Sequence, residues 1–346
     1  METIKIKAST EYDIIIGKGI IEDICKNLKQ RSINGKALIV TDKNVGAIYG
    51  EKVIRLLSDG GFSCQIYTVD GGETSKSATD FINICEFLAE NKYTRSDFLI
   101  ALGGGVVGDL TGFVASSYLR GVKFIQVPTT LLSMVDSSVG GKTAINLQAG
   151  KNLVGAFYQP SLVVCDLNML STLNEREFSC GMAEVIKYGM VFSESLIELL
   201  KENDEKNLQK IISTCIKLKK QVVENDEFDK GERMLLNFGH TLGHVIEKLS
   251  NYTISHGQAV GVGMCLITKA SINNSLCGKD VIDILEELLK IYKLSNESNF
   301  SIKDMYNITL VDKKNMGDKI TIVVPTKVGK CQLKTISLIE WKEFLK

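Results

Sequence analysis

The sequence predicts an α/β N-terminal domain spanning 1–174, built on a parallel, Rossmann-like sheet, followed by a mostly α-helical C-terminal domain spanning 175–346. Three observations carry this expectation. A chain of 346 residues exceeds what one hydrophobic core ordinarily fills, so two domains are the default. In the first half, short β-branched runs alternate with stretches of helical periodicity. After about Glu175 the helical pattern takes over.

Residues 1–7 alternate as a strand does and lack the basic, then long apolar, pattern of a signal peptide. Residues 36–42, 62–69 and 97–102 read as three further strands. Between the last two, Phe81, Ile82, Ile84, Phe87 and Leu88 recur at helical spacing within 77–91. Strand, helix and strand in succession imply a parallel sheet with helices on its faces, whose ligands bind at the carboxyl ends of the strands. The boundary falls between about 172 and 178. Beyond it, 194–223, 233–249 and 260–270 read as amphipathic helices, 319–325 as a short strand and 338–345 as a closing helix. There is no internal repeat or low-complexity segment.

Apolar residues at 44% and charged residues at 24% describe an ordinary globular protein. Forty-one basic residues balance 41 acidic ones, which gives no reason to expect nucleic acid or an anionic membrane as partner. Any anion site must be local. The nine cysteines are scattered, odd in number and without a CxxC, and read as reduced thiols in a cytoplasm. No segment has the roughly 18 uncharged apolar residues that span a bilayer.

Directly after the 97–102 strand comes Gly103-Gly104-Gly105-Val106-Val107-Gly108-Asp109. A lone GxGxxG is weak evidence, and here it follows neither the first strand nor the usual acid spacing. Successive glycines before a helix still let backbone N–H groups approach a phosphate, the alternative being a tight turn with close helix–strand packing. Upstream, Asp70-Gly71-Gly72-Glu73-Thr74-Ser75-Lys76 ends another strand at the same expected edge. Glu73 is a candidate for ribose hydroxyls and equally reads as a solvated turn residue.

Between Val127 and Asn146 the chain is rich in small residues, with Asp136 and Lys142, and Lys151 follows shortly after. Lys142 after paired glycines resembles the end of a P-loop, but Asp136 stands where the first glycine should be, which argues against a nucleotide triphosphatase. Lysines on glycine-rich backbone suit a phosphate or carboxylate, and otherwise read as exposed loop residues.

All three histidines, His240, His244 and His256, lie in one short stretch. Imidazole is the commonest ligand of zinc-like ions, and a catalytic zinc commonly has three protein ligands. Glu184 and Lys187 lie three apart on one helical face, as a carboxylate ligand beside a substrate-facing ammonium would. Spacing alone does not select this acid.

Taken together, residues 104–109, 127–141, 181–189, 237–244 and 255–257 resemble the 3-dehydroquinate synthase family, in order and in spacing, over nearly the whole chain. The resemblance implies a dehydroquinate synthase-like fold and a single zinc or cobalt ion held by Glu184, His240 and His256. It places NAD against Asp42, Gly71, Gly72, Glu73, Thr74, Ser75, Lys76, Gly104, Gly105, Val106, Val107, Gly108, Asp109, Thr129, Thr130, Asp136, Lys142, Lys151, Met169, Leu170, Ser171 and Thr172. Its substrate-binding and catalytic positions fall on Asp136, Lys142, Lys151, Asn152, Lys187, Lys219, Arg233, Asn237 and His244. Arg120 would serve a partner subunit, which implies a homodimer, and Lys313 or Lys314 would reach the phosphate.

The implied reaction converts the sugar acid phosphate 3-deoxy-D-arabino-heptulosonate 7-phosphate into 3-dehydroquinate and phosphate. Transient oxidation by NAD, phosphate elimination, re-reduction, ring opening and aldol closure would occur in one visit. Lys142 and Asn152 would hold the phosphate; Arg233, Lys219 and Asn237 would grip the carboxylate end. Cyclases of other specificity change that gripping set. Metal-dependent dehydrogenases, which share the two-domain plan, would turn over NAD, and a non-catalytic binding protein has no need of the full ligand set.

Overall fold

The β-branched runs of the N-terminal half become nine strands: β1 (Glu2–Lys7), β2 (Glu11–Gly17), β3 (Ala37–Asp42), β4 (Cys64–Val69), β5 (Phe98–Gly103), β6 (Lys123–Pro128), β7 (Lys142–Leu147), β8 (Gly150–Phe157) and β9 (Leu162–Asp166). Seven of them form one sheet in the order β1-β2-β9-β6-β5-β3-β4, while β7 and β8 make a separate antiparallel hairpin. Only the edge pair β1–β2 of the large sheet is antiparallel. The computed structural model describes residues 1–313 and 318–346, with side chains described outside 310–317. Two units emerge, Met1–Asn174 with Lys219–Phe228, and Glu175–Leu218 with Asp229–Lys346. Residues 219–228 thus group with the first unit and not with the helices around them in sequence.

The central strands β5 and β9 are buried along their whole length, as strands covered on both faces are, whereas β1 alternates at the edge. Helices α1 (Ile24–Gln30), α2 (Lys43–Val45), α3 (Glu51–Asp59), α4 (Ala78–Glu90) and α5 (Gly105–Ser117) connect them. Leu38, Leu99, Ile84, Leu110 and Phe124 belong to the core between sheet and helices. β4 begins at Cys64 and not at 62, because Phe62 N–H donates to Leu57 O at 2.9 Å and closes α3 through Gly61, at φ +86°. Strand β5 begins one residue late for a similar reason. Asp97 accepts hydrogen bonds from Lys36 N–H and Thr94 N–H, both at 2.7 Å, and from the Thr94 hydroxyl at 3.0 Å, so it serves the turn.

The second unit is helical: α6 (Glu175–Phe192), α7 (Glu194–Lys201), α8 (Leu208–Asn225, of which 219–225 count with the first unit), α9 (His240–Leu249), α10 (His256–Asn273), α11 (Asp280–Ile291) and α12 (Ile302–Lys313). The expected helix over 194–223 is two. Asn203, at φ +47°, leaves the helix, and Asp204 caps the next turn by accepting from Lys206 N–H. The expected helix over 233–249 is likewise broken. Glu232–Asn237 forms a 3-10 turn, and Gly239, at φ +79°, restarts the chain as α9. The expected single strand near 320 is a hairpin of β10 (Lys319–Lys327) and β11 (Lys330–Ser337), turned at Gly329 with φ +73°. Ser337 and Glu340 form a capping box that opens α13 (Leu338–Phe344).

α9 packs on α10 through glycines. A Cβ on Gly263 would lie 2.1 Å from Gly239 O and 2.9 Å from Gly243 N, so the two backbones touch with no room for a side chain. All nine cysteines are free thiols. Among the described residues, no helix is long and apolar enough to cross a membrane.

Two outcomes follow for stability. Burial acts to raise the Asp97 carboxyl, but its hydrogen bonds from Lys36 and Thr94 outweigh burial and hold it below the usual range. Its contribution is therefore present above about pH 4 and lost as pH falls through that lowered value. Asp97→Ala should cost about 1–3 kcal/mol at pH 7, with a deficit that narrows toward pH 3, read by urea unfolding at the two pH values. Gly263→Ala should cost at least about 1–3 kcal/mol by forcing α9 off α10, seen as a lowered unfolding midpoint with far-ultraviolet helicity retained.

Candidate functional site

In the second unit, three helices bring Glu184, His240 and His256 together. His240 is the first residue of α9 and His256 the first of α10, while Glu184 lies midway along α6. Gly257 fixes the approach of α10 to α6: its N–H donates to Cys180 Sγ at 3.0 Å, and a Cβ there would lie 2.5 Å from the Cys180 backbone. One helical turn beyond Cys180 is Glu184. Its Oε1 lies 3.2 Å from His256 Nε2 and 3.4 Å from His240 Nε2. One ligand atom from each of the three lies within 4.8 Å of the others.

The far side of each imidazole is engaged. His240 Nδ1 is 3.1 Å from Phe238 O, and His256 Nδ1 is 3.3 Å from Glu247 Oε2. With an acceptor at each Nδ1, both Nε2 atoms are turned to the same carboxylate oxygen. Metal-ligating histidines are held in this way. The donor set fits a zinc-like ion: one carboxylate, two imidazoles, and a position left for water or substrate.

Glu184 is fully buried. Burial alone would raise its pKa, but Lys187, followed by His240 and His256, outweighs burial and holds the carboxyl well below the usual range. Lys187 is 1% exposed, and its Nζ pairs with Glu184 Oε2, so this ammonium faces the candidate ligand, whereas its spacing suggested a substrate-facing role. Burial opposes a charge on His256, yet hydrogen bonds to Glu184 and Glu247 outweigh it and raise its pKa to about 10. A cation taking up Nε2 would displace that proton.

Other expected residues of this unit surround the trio in sequence. Arg233 is buried on the 3-10 turn before α9, with Asn237 exposed at its end. His244 is exposed one turn along α9, its ring centroid 5.4 Å from that of His240. With Glu247 and His256 it forms a second trio of ligand atoms within 4.8 Å, sharing one imidazole with the first. Lys313 and Lys314 lie outside the residues whose side chains are described.

In the first unit, strand order reverses between β3 and β5, because β4 lies on the far side of β3 while β6 and β9 continue beyond β5. Crevices at such switch points hold ligands. Asp42 ends β3, where it accepts from Asn44 N–H and Val45 N–H and caps α2. Gly71 lies against it, with a Cβ position 3.3 Å from that of Asp42, and Gly72 to Lys76 continue this turn. Beside them, β5 runs into Gly104, which begins α5 without a side-chain cap, followed by Gly105, Val106, Val107 and Gly108. An uncapped helix start made of glycine suits a phosphate. Thr129 and Thr130 follow β6, and a Cβ on Gly104 would meet Thr130 Cγ2 at 3.1 Å. Met169 and Leu170 are buried, Ser171 and Thr172 exposed, on the 3-10 turn after β9.

Polar side chains tie these segments together. Lys76 is 4% exposed; its Nζ donates to Asp109 Oδ2 at 2.7 Å and to Asn152 Oδ1. Burial raises the Asp109 carboxyl although Lys76 pulls it down. Asn146 donates to Glu73 Oε1 at 2.8 Å and accepts from Asn152 N–H at 2.9 Å. Glu73 is thus engaged by the hairpin, and not only solvated. Lys219 donates to Asp136 O at 2.6 Å and pairs with the Asp136 carboxylate, which makes it a partner of the 133–137 turn. Lys142 opens β7 exposed, Lys151 is half-buried on β8, and Arg120 is exposed at φ +67°.

Two residues escaped the sequence reading. Glu247 lies seven residues after His240 on the same face of α9, a spacing that marks it once the histidines are taken as ligands. Asn146 joins two segments far apart in sequence, and nothing in its neighbours signals this.

The family model described as 3-dehydroquinate synthase N-terminal matches residues 66–180, and that described as 3-dehydroquinate synthase C-terminal matches 181–315. The chain is 45% identical to the 3-dehydroquinate synthase of Clostridium beijerinckii, over 93% of this chain and 94% of that one. Among solved structures it is similar to a 2-deoxy-scyllo-inosose synthase complexed with carbaglucose-6-phosphate, NAD+ and Co2+, at 25% identity, 99% coverage of both chains and a TM-score of 0.90. The fold alone is shared with a 2-epi-5-epi-valiolone synthase from Streptomyces hygroscopicus with NAD+ and Zn2+ bound, at 21% identity, 99% and 98% coverage and a TM-score of 0.88. With both family models matched in succession and identity sustained over the length of a curated relative, the chain belongs to the 3-dehydroquinate synthase family.

Proposed function

We propose that the protein converts 3-deoxy-D-arabino-heptulosonate 7-phosphate into 3-dehydroquinate and inorganic phosphate, a carbon–oxygen lyase step of the shikimate pathway toward aromatic amino acids. The observation that carries this reading is the Glu184–His240–His256 cluster, found in a chain that matches a 3-dehydroquinate synthase over 93% of its length. When bound, a zinc or cobalt ion supplies Lewis acidity at a substrate hydroxyl and NAD accepts and returns a hydride without net consumption.

Glu184, His240 and His256 hold the ion in this reading, and Lys187 holds the Glu184 carboxylate ionised. The glycines at the start of α5, with Asp42, the 71–76 turn, Thr129, Thr130 and the 169–172 turn, hold the dinucleotide. Lys142, Lys151 and Asn152 take the substrate phosphate; Arg233, Lys219 and Asn237 take its carboxylate end, with Asp136 fixing Lys219 in place. His244, one turn from His240, carries a proton or a water near the phosphate.

A homodimer fits the surface of the first unit. Leu153 and Phe157, four residues apart on β8, are exposed, with Phe228 stacked edge-on against Phe157 at 5.3 Å, apolar surface of the kind that partners cover. Arg120, exposed in a left-handed turn, is the residue we assign to the partner's site. Free thiols throughout fit a cytoplasmic location.

Incubated with heptulosonate phosphate, NAD and zinc, the protein should release phosphate in step with 3-dehydroquinate while NADH stays flat; steady NADH accumulation would make it a dehydrogenase instead. His256→Ala should slow phosphate release by about a thousandfold, the equivalent of several kcal/mol of lost Lewis acidity, with the fold retained by far-ultraviolet circular dichroism although the buried Glu184 and Glu247 lose a partner and the unfolding midpoint falls. Activity retained by that variant would remove the ligand assignment. Phe157→Glu should shift sedimentation from dimer to monomer, and an unaltered profile would place the interface elsewhere.

A further inference from the structure

We propose that Glu247 is a positioning residue that sets which nitrogen of His256 faces the cation. The proposal rests on the metal-dependent reading above. Glu247 is 4% exposed and lies on α9, the helix that also carries His240. Its Oε2 is 3.3 Å from His256 Nδ1, while the opposite ring nitrogen, Nε2, is 3.2 Å from Glu184 Oε1.

A ring that ligates a cation must be the neutral imidazole, which carries one N–H and one lone pair. Two carboxylates therefore compete for one proton across the ring. Were Glu184 to win, the proton would sit on Nε2 and block ligation. A carboxylate at Nδ1 can only accept, so Glu247 keeps the N–H on Nδ1 and leaves the Nε2 lone pair for a cation shared with Glu184. The His256 side chain is 30% exposed against 12% for His240, so packing holds this ring less tightly. His240 has a backbone carbonyl at its Nδ1, whereas His256 has a side chain that can be substituted. α9 thus supplies one ligand and the orienting group of another.

The second trio, His244, Glu247 and His256, raises the competing assignment of a separate ion there. An ion there that took the Nδ1 of His256, the nitrogen nearest Glu247, would need its lone pair, which an Nδ1–H donated to Glu247 excludes.

The test compares wild type, Glu247→Ala and Glu247→Gln, stripped of metal and then titrated with zinc or cobalt against a chelator. Wild type should bind one ion per chain. Glu247→Ala should bind it about 10–100-fold more weakly and show an altered cobalt visible spectrum, with NAD affinity unchanged. Glu247→Gln, whose amide presents either its oxygen or its N–H to the ring, should fall between the two. Should the alanine variant fail to fold, the near-isosteric glutamine variant decides: weakened binding supports the proposal, and wild-type affinity overturns it. Two ions per chain in wild type with one lost in Glu247→Ala would overturn it in favour of a separate site. A wild type that binds neither ion overturns the metal-dependent reading, and this assignment with it. A wild type that binds one ion while both variants match it overturns this assignment alone.

Discussion

A carboxylate with no solvent exposure is tolerable inside a protein only when cationic or hydrogen-bonding groups surround it, and Glu184 imposes that condition on the whole second unit. Lys187 answers it from the same helix, and His240 and His256 answer it from two others. Three helices must therefore approach within side-chain reach of one point, which explains why α6, α9 and α10 meet through Gly257, Gly243 and Gly263. A larger residue at these contacts would separate Glu184, His240 and His256 before it altered any of them. The site and the packing of the second unit are one constraint seen at two scales.

The first unit solves a different problem. Its parallel sheet leaves a crevice where strand order reverses, and the chain fills the rim of that crevice with Asp42 and glycines. An uncapped helix start and a turn with positive φ at Gly71 and Gly72 expose backbone donors where bulkier residues would cover them. Charge is almost absent from the glycine run itself, so backbone dipoles are what it offers to an anion.

Much of this was legible in the residues. The buried strands β3 and β5 declared themselves as apolar runs while β2 and β9 went unread, the glycine run marked the start of α5, and the clustering of all imidazole in one stretch pointed to a single centre. The breaks were less legible. Asn203 and Gly239 interrupt helical periodicity at single residues whose left-handed conformation no pattern of hydrophobicity reveals, and β11 reads too polar to announce its pairing with β10. The choice of Glu184 came from resemblance, since its separation from His240 in sequence carries no geometric information. Lys187 shows the limit of spacing arguments: an i, i+3 ammonium and carboxylate were expected to share a face, but not to face each other in full burial. Glu247 lay within reach of the same helical arithmetic and was passed over because only imidazoles were counted.

The ties among Lys76, Asp109, Asn146 and Asn152 fasten the β7–β8 hairpin to the 71–76 turn and to the first helix turns of α5. Asn152 holds its place at φ +56°, so the strap is anchored by a residue that has already left the ordinary strand conformation. Because Lys142 begins the same hairpin, the strap that braces the glycine rim also braces the strand that carries this ammonium.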